Sequence, residues 1–318
     1  MKPFNVFPYD SNVDFMRLRW VSLMGAALLL VVALGAMATN GFNFALDFTG
    51  GVGVELRYAQ VPDVDDVRNK LDAAGFDGAQ VQAFGSGKDL LVRLQAEGKQ
   101  VGAEDRASSI GDAVAKAASL AGNPAEKRSS SVISAQVGEE LAWNGFYALL
   151  FVLLGFLIYI SVRFEWKFAV AAIIATLHDV VICAGWFALS GHEFDLTVLA
   201  GILSVMGYSI NDTIVVFDRV RENFKSMRLP PRELLNKSVN QTLSRTVITS
   251  FVAFLTVLAL YLYGGGSLRG MAESQMIGII VGTLSSIFIA CPLLLWLNVS
   301  KQDLMPKAKD EEALARRP

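Results

Sequence analysis

The chain has 318 residues, 53% of them hydrophobic and only 18% charged, with a net charge of −2. That balance excludes an ordinary soluble globule, which carries about 25% charged residues, and the lack of a basic excess leaves a nucleic-acid partner without support. Cys183 and Cys291 both lie inside apolar runs, where cysteine behaves as a small hydrophobe, so neither a disulfide framework nor a zinc site is indicated.

A bilayer core of roughly 30 Å needs about 20 apolar residues in a helix. Six runs meet this: Trp20 to Thr39, Trp143 to Val162, Phe168 to Ser190, Leu196 to Phe217, Val247 to Tyr263, with a start expected one turn earlier near Thr242, and Met276 to Leu297. The first run reads as an uncleaved anchor. Ala36-Met37-Ala38 resembles a signal-peptide cleavage site, but the apolar region and its leader are too long. The expected division is an N-terminal segment 1–19, a first span 20–39, an outer domain 40–142, a bundle of five spans 143–297 with a basic loop at 218–245, and a tail 298–318. Lys and Arg crowd the N-terminal segment, the turn after the second span and the stretch after the fourth, whereas the loops of opposite parity carry only Arg269. The positive-inside rule then places both termini in the cytoplasm and the 40–142 insertion outside it.

Within the insertion, Val52 to Tyr58 alternates as a strand and Val64 to Ala74 has helical spacing. Strands are expected at Ala79 to Phe84 and Asp89 to Leu94, around the turn Gly85-Ser86-Gly87-Lys88. A helix follows from Glu104 to Leu120, stopped by Gly122, Asn123 and Pro124, and then a β-branched stretch from Ser129 to Ser134. The order β-α-β-β-α-β is the split βαβ of ferredoxin-like folds. The insertion has no His and no Cys, so a binding or mechanical role is expected there and no enzyme activity. The basic stretch after the fourth span, cut by Pro230-Pro231, reads as two amphipathic pieces lying on the inner membrane surface.

An ionisable side chain inside a span costs several kcal/mol on insertion scales and needs a partner or a task. Asp212 lies about five residues past the midpoint of the fourth span, some 7 Å toward the inner side at about 1.5 Å per residue. Gly201, Ser204, Tyr208 and Asn211 or Asp212 form one polar stripe at helical spacing. In the fifth span, Thr242, Arg245 and Thr249 share a face, at a depth compatible with Asp212. A carboxylate that trades an Arg partner for a proton is a workable relay. A static ion pair is the alternative, equally open from the residues alone. His178-Asp179 lies mid-way along the third span; adjacent residues project about 100° apart, so the two side chains are expected on different faces, as a second proton-path element or as packing. Two histidines in the chain are too few for a metal cluster, and no cofactor or metal is expected. Gly278, Gly282 and Ser285 or Ser286 make a small-residue face for helix packing, with Gly207 expected to act likewise.

Four runs then stand out: Ala45 to Gly51 (ALDFTGG), HDVVICAG from His178, GYSINDTIVVFDRVREN from Gly207 to Asn223, and QTLSRTVITS from Gln241. Together they resemble the SecF family, smaller membrane subunits of the bacterial SecD–SecF export complex within the resistance-nodulation-division superfamily. The resemblance implies an inner-membrane subunit in which inward proton flow drives motion of the outer domain and so helps complete polypeptide export. It implies proton passage at Asp212 and Arg245. Asp179 and His178 are candidate further relay groups, with Asn211, Thr213, Ser204, Tyr208, Thr246 and Thr249 in support. The implied partners are SecD, the SecYEG translocon, the translocating polypeptide, protons and membrane lipid. Asp47, Phe48, Thr49, Gly50 and Gly51 would form either a moving joint or a plain connector. A small-solute proton-coupled transporter of the same superfamily and a passive assembly scaffold are the competing readings.

Overall fold

The structure, a computed structural model, describes residues 11–76, 79–84, 87–94, 103–133 and 135–300. Asp14 caps a 3₁₀ turn at Phe15–Leu18 by accepting from the Arg17 amide, and helix α1 (Arg19–Thr39) follows. Beyond it come β1 (Asn43–Phe44), the single turn α2 (Leu46–Thr49), β2 (Gly51–Arg57), α3 (Val64–Ala73), β3 (Gln80–Phe84), β4 (Asp89–Leu94), α4 (Ala103–Ala118) and β5 (Glu126–Ile133). The remainder is α5 (Ala135–Arg163), α6 (Trp166–Ser190), β6 (Glu193–Phe194), α7 (Leu196–Ser226), α8 (Pro231–Tyr263) and α9 (Gly266–Ser285), which runs through a π turn at Ser286–Ala290 into α10 (Cys291–Trp296).

The β-α-β-β-α-β order folds as expected. The sheet runs β3-β4-β2-β5 with every neighbour antiparallel, the arrangement that two split βαβ crossovers require. Val54, Leu56, Val67, Leu71, Leu90, Val92 and Val114 close its core against α3 and α4. Strand β5 begins three residues before the expected Ser129, and Gly85, Ser86 and Ser134 lie outside the described residues.

Among the described residues, six helical stretches are long and apolar enough to cross a membrane. The last of them has 67% of its apolar window buried, against 11% for each of the first two, so α6, α7 and α9 form the centre of the bundle and α1 and α5 its flank. Small residues set the close approaches. A Cβ on Gly278 would run into Val205, one on Gly282 would come within 3.1 Å of Ser209, and one on Gly185 within 2.7 Å of the Ala33 backbone. Gly207 does not share this role: nothing lies within 4 Å of its Cβ position. It stands two residues from Val205, about 200° around the helix, and so faces away from α9.

Two further expectations are corrected. The stretch 218–245 does not lie as separate pieces on a surface, because α7 continues to Ser226 and α8 starts at Pro231, leaving a link of four residues. The break expected at Pro230-Pro231 is there, in residues 227–230, and Pro231 takes the first helical position, where proline loses no hydrogen bond. The two extensions pack as a hairpin, with Leu234, Leu235 and Val239 buried and Asn223 Nδ2 donating to Ser238 Oγ (2.8 Å) and Gln241 Oε1 (2.9 Å). The fifth span is accordingly the upper part of a 33-residue helix.

Candidate functional site

Two carboxylates meet the same helix from two sides. Asp179 on α6 is fully buried and Asp212 on α7 nearly so. Asp179 Oδ2 accepts from Ser209 Oγ and from Ser285 Oγ, both at 2.6 Å. Asp212 Oδ1 accepts from Thr246 Oγ1 on α8 at 2.9 Å, and its Oδ2 from Ser286 Oγ at 2.7 Å. A second chain of hydroxyls borders Asp212: Tyr208 Oη and Thr283 Oγ1 both donate to Ser250 Oγ, which donates to the Thr246 carbonyl.

His178 Nδ1 lies 3.2 Å from Asp179 Oδ1, which corrects the expectation that these neighbours keep to separate faces. Their Cβ vectors diverge by about 100°, but the imidazole is long enough to turn back around the helix to the shorter carboxylate. Arg245 is exposed and, among the described residues, no ion pair joins it to Asp212; it lies one residue from Thr246 and within electrostatic reach of the carboxylate. The buried face of α8 carries Thr242, Thr246 and Ser250, not Thr242, Arg245 and Thr249. Thr249 donates to the backbone of its own helix. Ser204 and Asn211 are exposed on the outer side of α7, so the expected polar stripe divides: Gly201, Tyr208 and Asp212 turn inward and the other two do not.

Sequence reasoning passed over Ser209, Ser250, Thr283 and the roles of Ser285 and Ser286. The available signal was hydroxyls recurring at helical spacing within apolar runs: Thr246 with Ser250, and Thr283 with Ser286. Near the carboxylates in sequence, Thr176 Oγ1, Thr213 Oγ1 and His178 Nε2 are buried without a hydrogen-bond partner among the described residues.

The ALDFTGG segment sits at the other end of the bundle, where it ties four elements together. Asp47 Oδ2 accepts from the Leu196 amide at the start of α7 (3.2 Å), beside Asp195, which caps the same helix through Val198 (2.7 Å). Phe48 packs on Phe44 and Phe194, Thr49 Oγ1 donates to the Ala45 carbonyl, and Gly50 and Gly51 take φ of 70° and 140°. Strands β1 and β6 pair in parallel alongside. Arg93 of β4 forms an ion pair with Glu193 of β6, both largely buried. Burial pulls the Arg93 guanidinium below its usual range while Asp195 and Asp47 oppose that shift, so the sheet domain is pinned to the bundle by one cation among three carboxylates.

The comparisons with known proteins fall on these two regions. Residues 113–300, which hold both carboxylates, match the family described as protein export membrane protein SecD/SecF, C-terminal, and residues 35–60 match the SecD/SecF GG motif. The chain is 44% identical to the protein translocase subunit SecF of Pseudomonas aeruginosa, over 94% of this chain and 96% of that one. The chain belongs to the SecF family. A SecF of Escherichia coli O157:H7 is 39% identical over 94% of this chain and 92% of its own length. Among solved structures, SecDF from Thermus, described as a translocon-associated membrane protein, superposes with a TM-score of 0.82 at 38% identity, covering 92% of this chain. A SecDF in a super-membrane-facing form gives 0.66 at 37% identity over 98% of this chain. This SecF-family chain spans about 40% of the length of those SecDF chains.

Proposed function

We propose that the chain is an auxiliary subunit of the Sec protein translocase which, beside SecD, couples inward proton flow to movement of its sheet domain and so helps complete polypeptide export. The observation that carries the reading is the hydroxyl lining of Asp212. An ionised carboxylate in an apolar interior costs several kcal/mol unless hydrogen-bonded. A fixed salt bridge would supply only donors and hold one charge state. Thr246 and Ser286 hydroxyls can donate to a carboxylate and accept from a carboxylic acid, so they suit a group that gains and loses a proton. Arg245, one residue away and permanently charged, biases that exchange without locking it. Asp179 with His178 forms the second element of the relay, and Thr176 and Thr213, on the side away from the sheet domain, mark where water would reach it.

In this reading the protein sits in the bacterial inner membrane with both termini cytoplasmic and the sheet domain periplasmic. Lipid covers the bare faces of α1 and α5, and the SecYEG channel and the emerging polypeptide are further partners. One charge crossing 100 mV releases about 2.3 kcal/mol, enough to bias a domain movement. In a strain lacking its own copy, an Asp212→Asn protein is expected to assemble with SecD in normal yield and to lose gradient-dependent export. Wild-type export by that variant would overturn the relay.

A further inference from the structure

Ser285 and Ser286 are consecutive, yet each serves a different carboxylate. They stand where α9 gives way to the π turn, with Ser285 turned to α6 and Ser286 to α7. Each hydroxyl also has a second acceptor on its own helix: Ser285 Oγ lies 3.1 Å from the Gly282 carbonyl, and Ser286 Oγ 3.0 Å from the Thr283 carbonyl. A serine hydroxyl has one hydrogen, so it donates to the carboxylate or to the carbonyl, not to both. With the carboxylate ionised, the hydrogen points at it. When a proton arrives from water, the acid O–H donates to the serine oxygen and the serine hydrogen rotates to the backbone carbonyl; no serine bond breaks, and the proton leaves by the reverse exchange.

The carbonyl that would receive the Ser285 hydrogen is already in use, because Gly282 O also accepts the backbone amide of Ser286. A change in the protonation of Asp179 therefore reaches the amide of the residue that holds Asp212. We propose that Asp179 is a second proton-carrying group and that Ser285 and Ser286 form a paired two-position hydroxyl switch that couples its protonation to that of Asp212. This rests on the relay reading above for its purpose, but not for its test. The other titratable or charged groups within reach are His178 and Cys183 beside Asp179, with Glu273 beyond them on α9, and Arg245 and Cys291 beside Asp212.

The test is infrared titration of carboxyl protonation in the full chain, co-assembled with SecD in lipid vesicles, over roughly pH 4 to 9. Two titrating carboxyl bands are expected, one lost in Asp179→Asn and the other in Asp212→Asn. Ser285→Ala is expected to move the midpoint of the Asp212 band, a group that Ser285 does not touch, by at least about half a pH unit, roughly threefold in proton affinity. Ser285→Thr, which keeps the hydroxyl, is expected to restore it. A local packing role would alter the Asp179 band alone, and that result would overturn the switch, as would an Asp179 band that never titrates in the wild type. The wild-type titration needs no variant to fold. Wild-type export by Asp212→Asn together with a shifted Asp212 midpoint in Ser285→Ala would remove the export reading and leave the switch standing.

Discussion

At Gly51 the backbone runs at φ 140°, and an added Cβ would stand 2.5 Å from the Leu94 carbonyl and 2.7 Å from the Leu46 side chain. Neither the torsion nor the space tolerates a methyl group. Gly51→Ala is expected to destabilise the sheet domain by about 2–4 kcal/mol, read as a lower melting temperature and earlier proteolysis within residues 51–133. An unchanged melting curve would contradict the strain. The same residue-by-residue view shows what was legible in the sequence. Asp212 announced itself because a carboxylate in an apolar run needs a partner or a task, and the glycines of the ALDFTGG run did so by their clustering. Ser285 and Ser286 did not, because serine in a span is common as a small packing residue and nothing in the sequence marks a π turn. The contact between His178 and Asp179 was hidden by an argument from Cβ direction that ignored side-chain reach.

Among the elements, β2 and α4 are joined by a buried phenol. Tyr58 Oη donates to the Ala118 carbonyl at 3.0 Å, and burial raises its pKa from 10.0 to about 12. The neutral form is the one the fold favours, so its contribution is intact below about pH 10 and is lost as the pH climbs through about 12. The loss amounts to roughly 2–3 kcal/mol. Tyr58→Phe is expected to flatten that alkaline decline in a stability-versus-pH series; an unchanged slope would argue against it. At the cytoplasmic-facing end of the proposed orientation, Asn223→Ala should leave Ser238 and Gln241 without their shared donor and loosen the α7–α8 hairpin by about 1–3 kcal/mol, visible as faster amide exchange across residues 223–241. Helix lengths were the least legible feature here. Polar residues at 218–245 read as surface, whereas the buried leucines and the Asn223 contacts extend both helices well past the apolar runs.

For the whole molecule, the spans and the sheet topology were readable because each rests on a repeating pattern, apolar length in one case and strand alternation in the other. The attachment of the sheet domain was not, because it depends on single residues far apart in the chain: Arg93 with Glu193, and Asp47 with Leu196. Arg93→Gln should leave Glu193, Asp195 and Asp47 crowded without their cation. Faster exchange of the β1 and β6 amides is expected, with the interior of the sheet unaffected; equal exchange in both proteins would show that the phenylalanine cluster alone holds the junction.

The contact between Asp47 and Leu196 spans 149 residues. At about 5–20 residues per second of synthesis, Asp47 of α2, and α1 before it, is made roughly 7–30 s before the helix that Asp47 helps to cap begins. For most of that interval α1 has no bundle to join, because its later partner Gly185, which will lie against Ala33, is made only near its end. A helix apolar on every side can wait alone in lipid, and the nearly bare surface that α1 keeps in the finished protein is the surface such a wait requires.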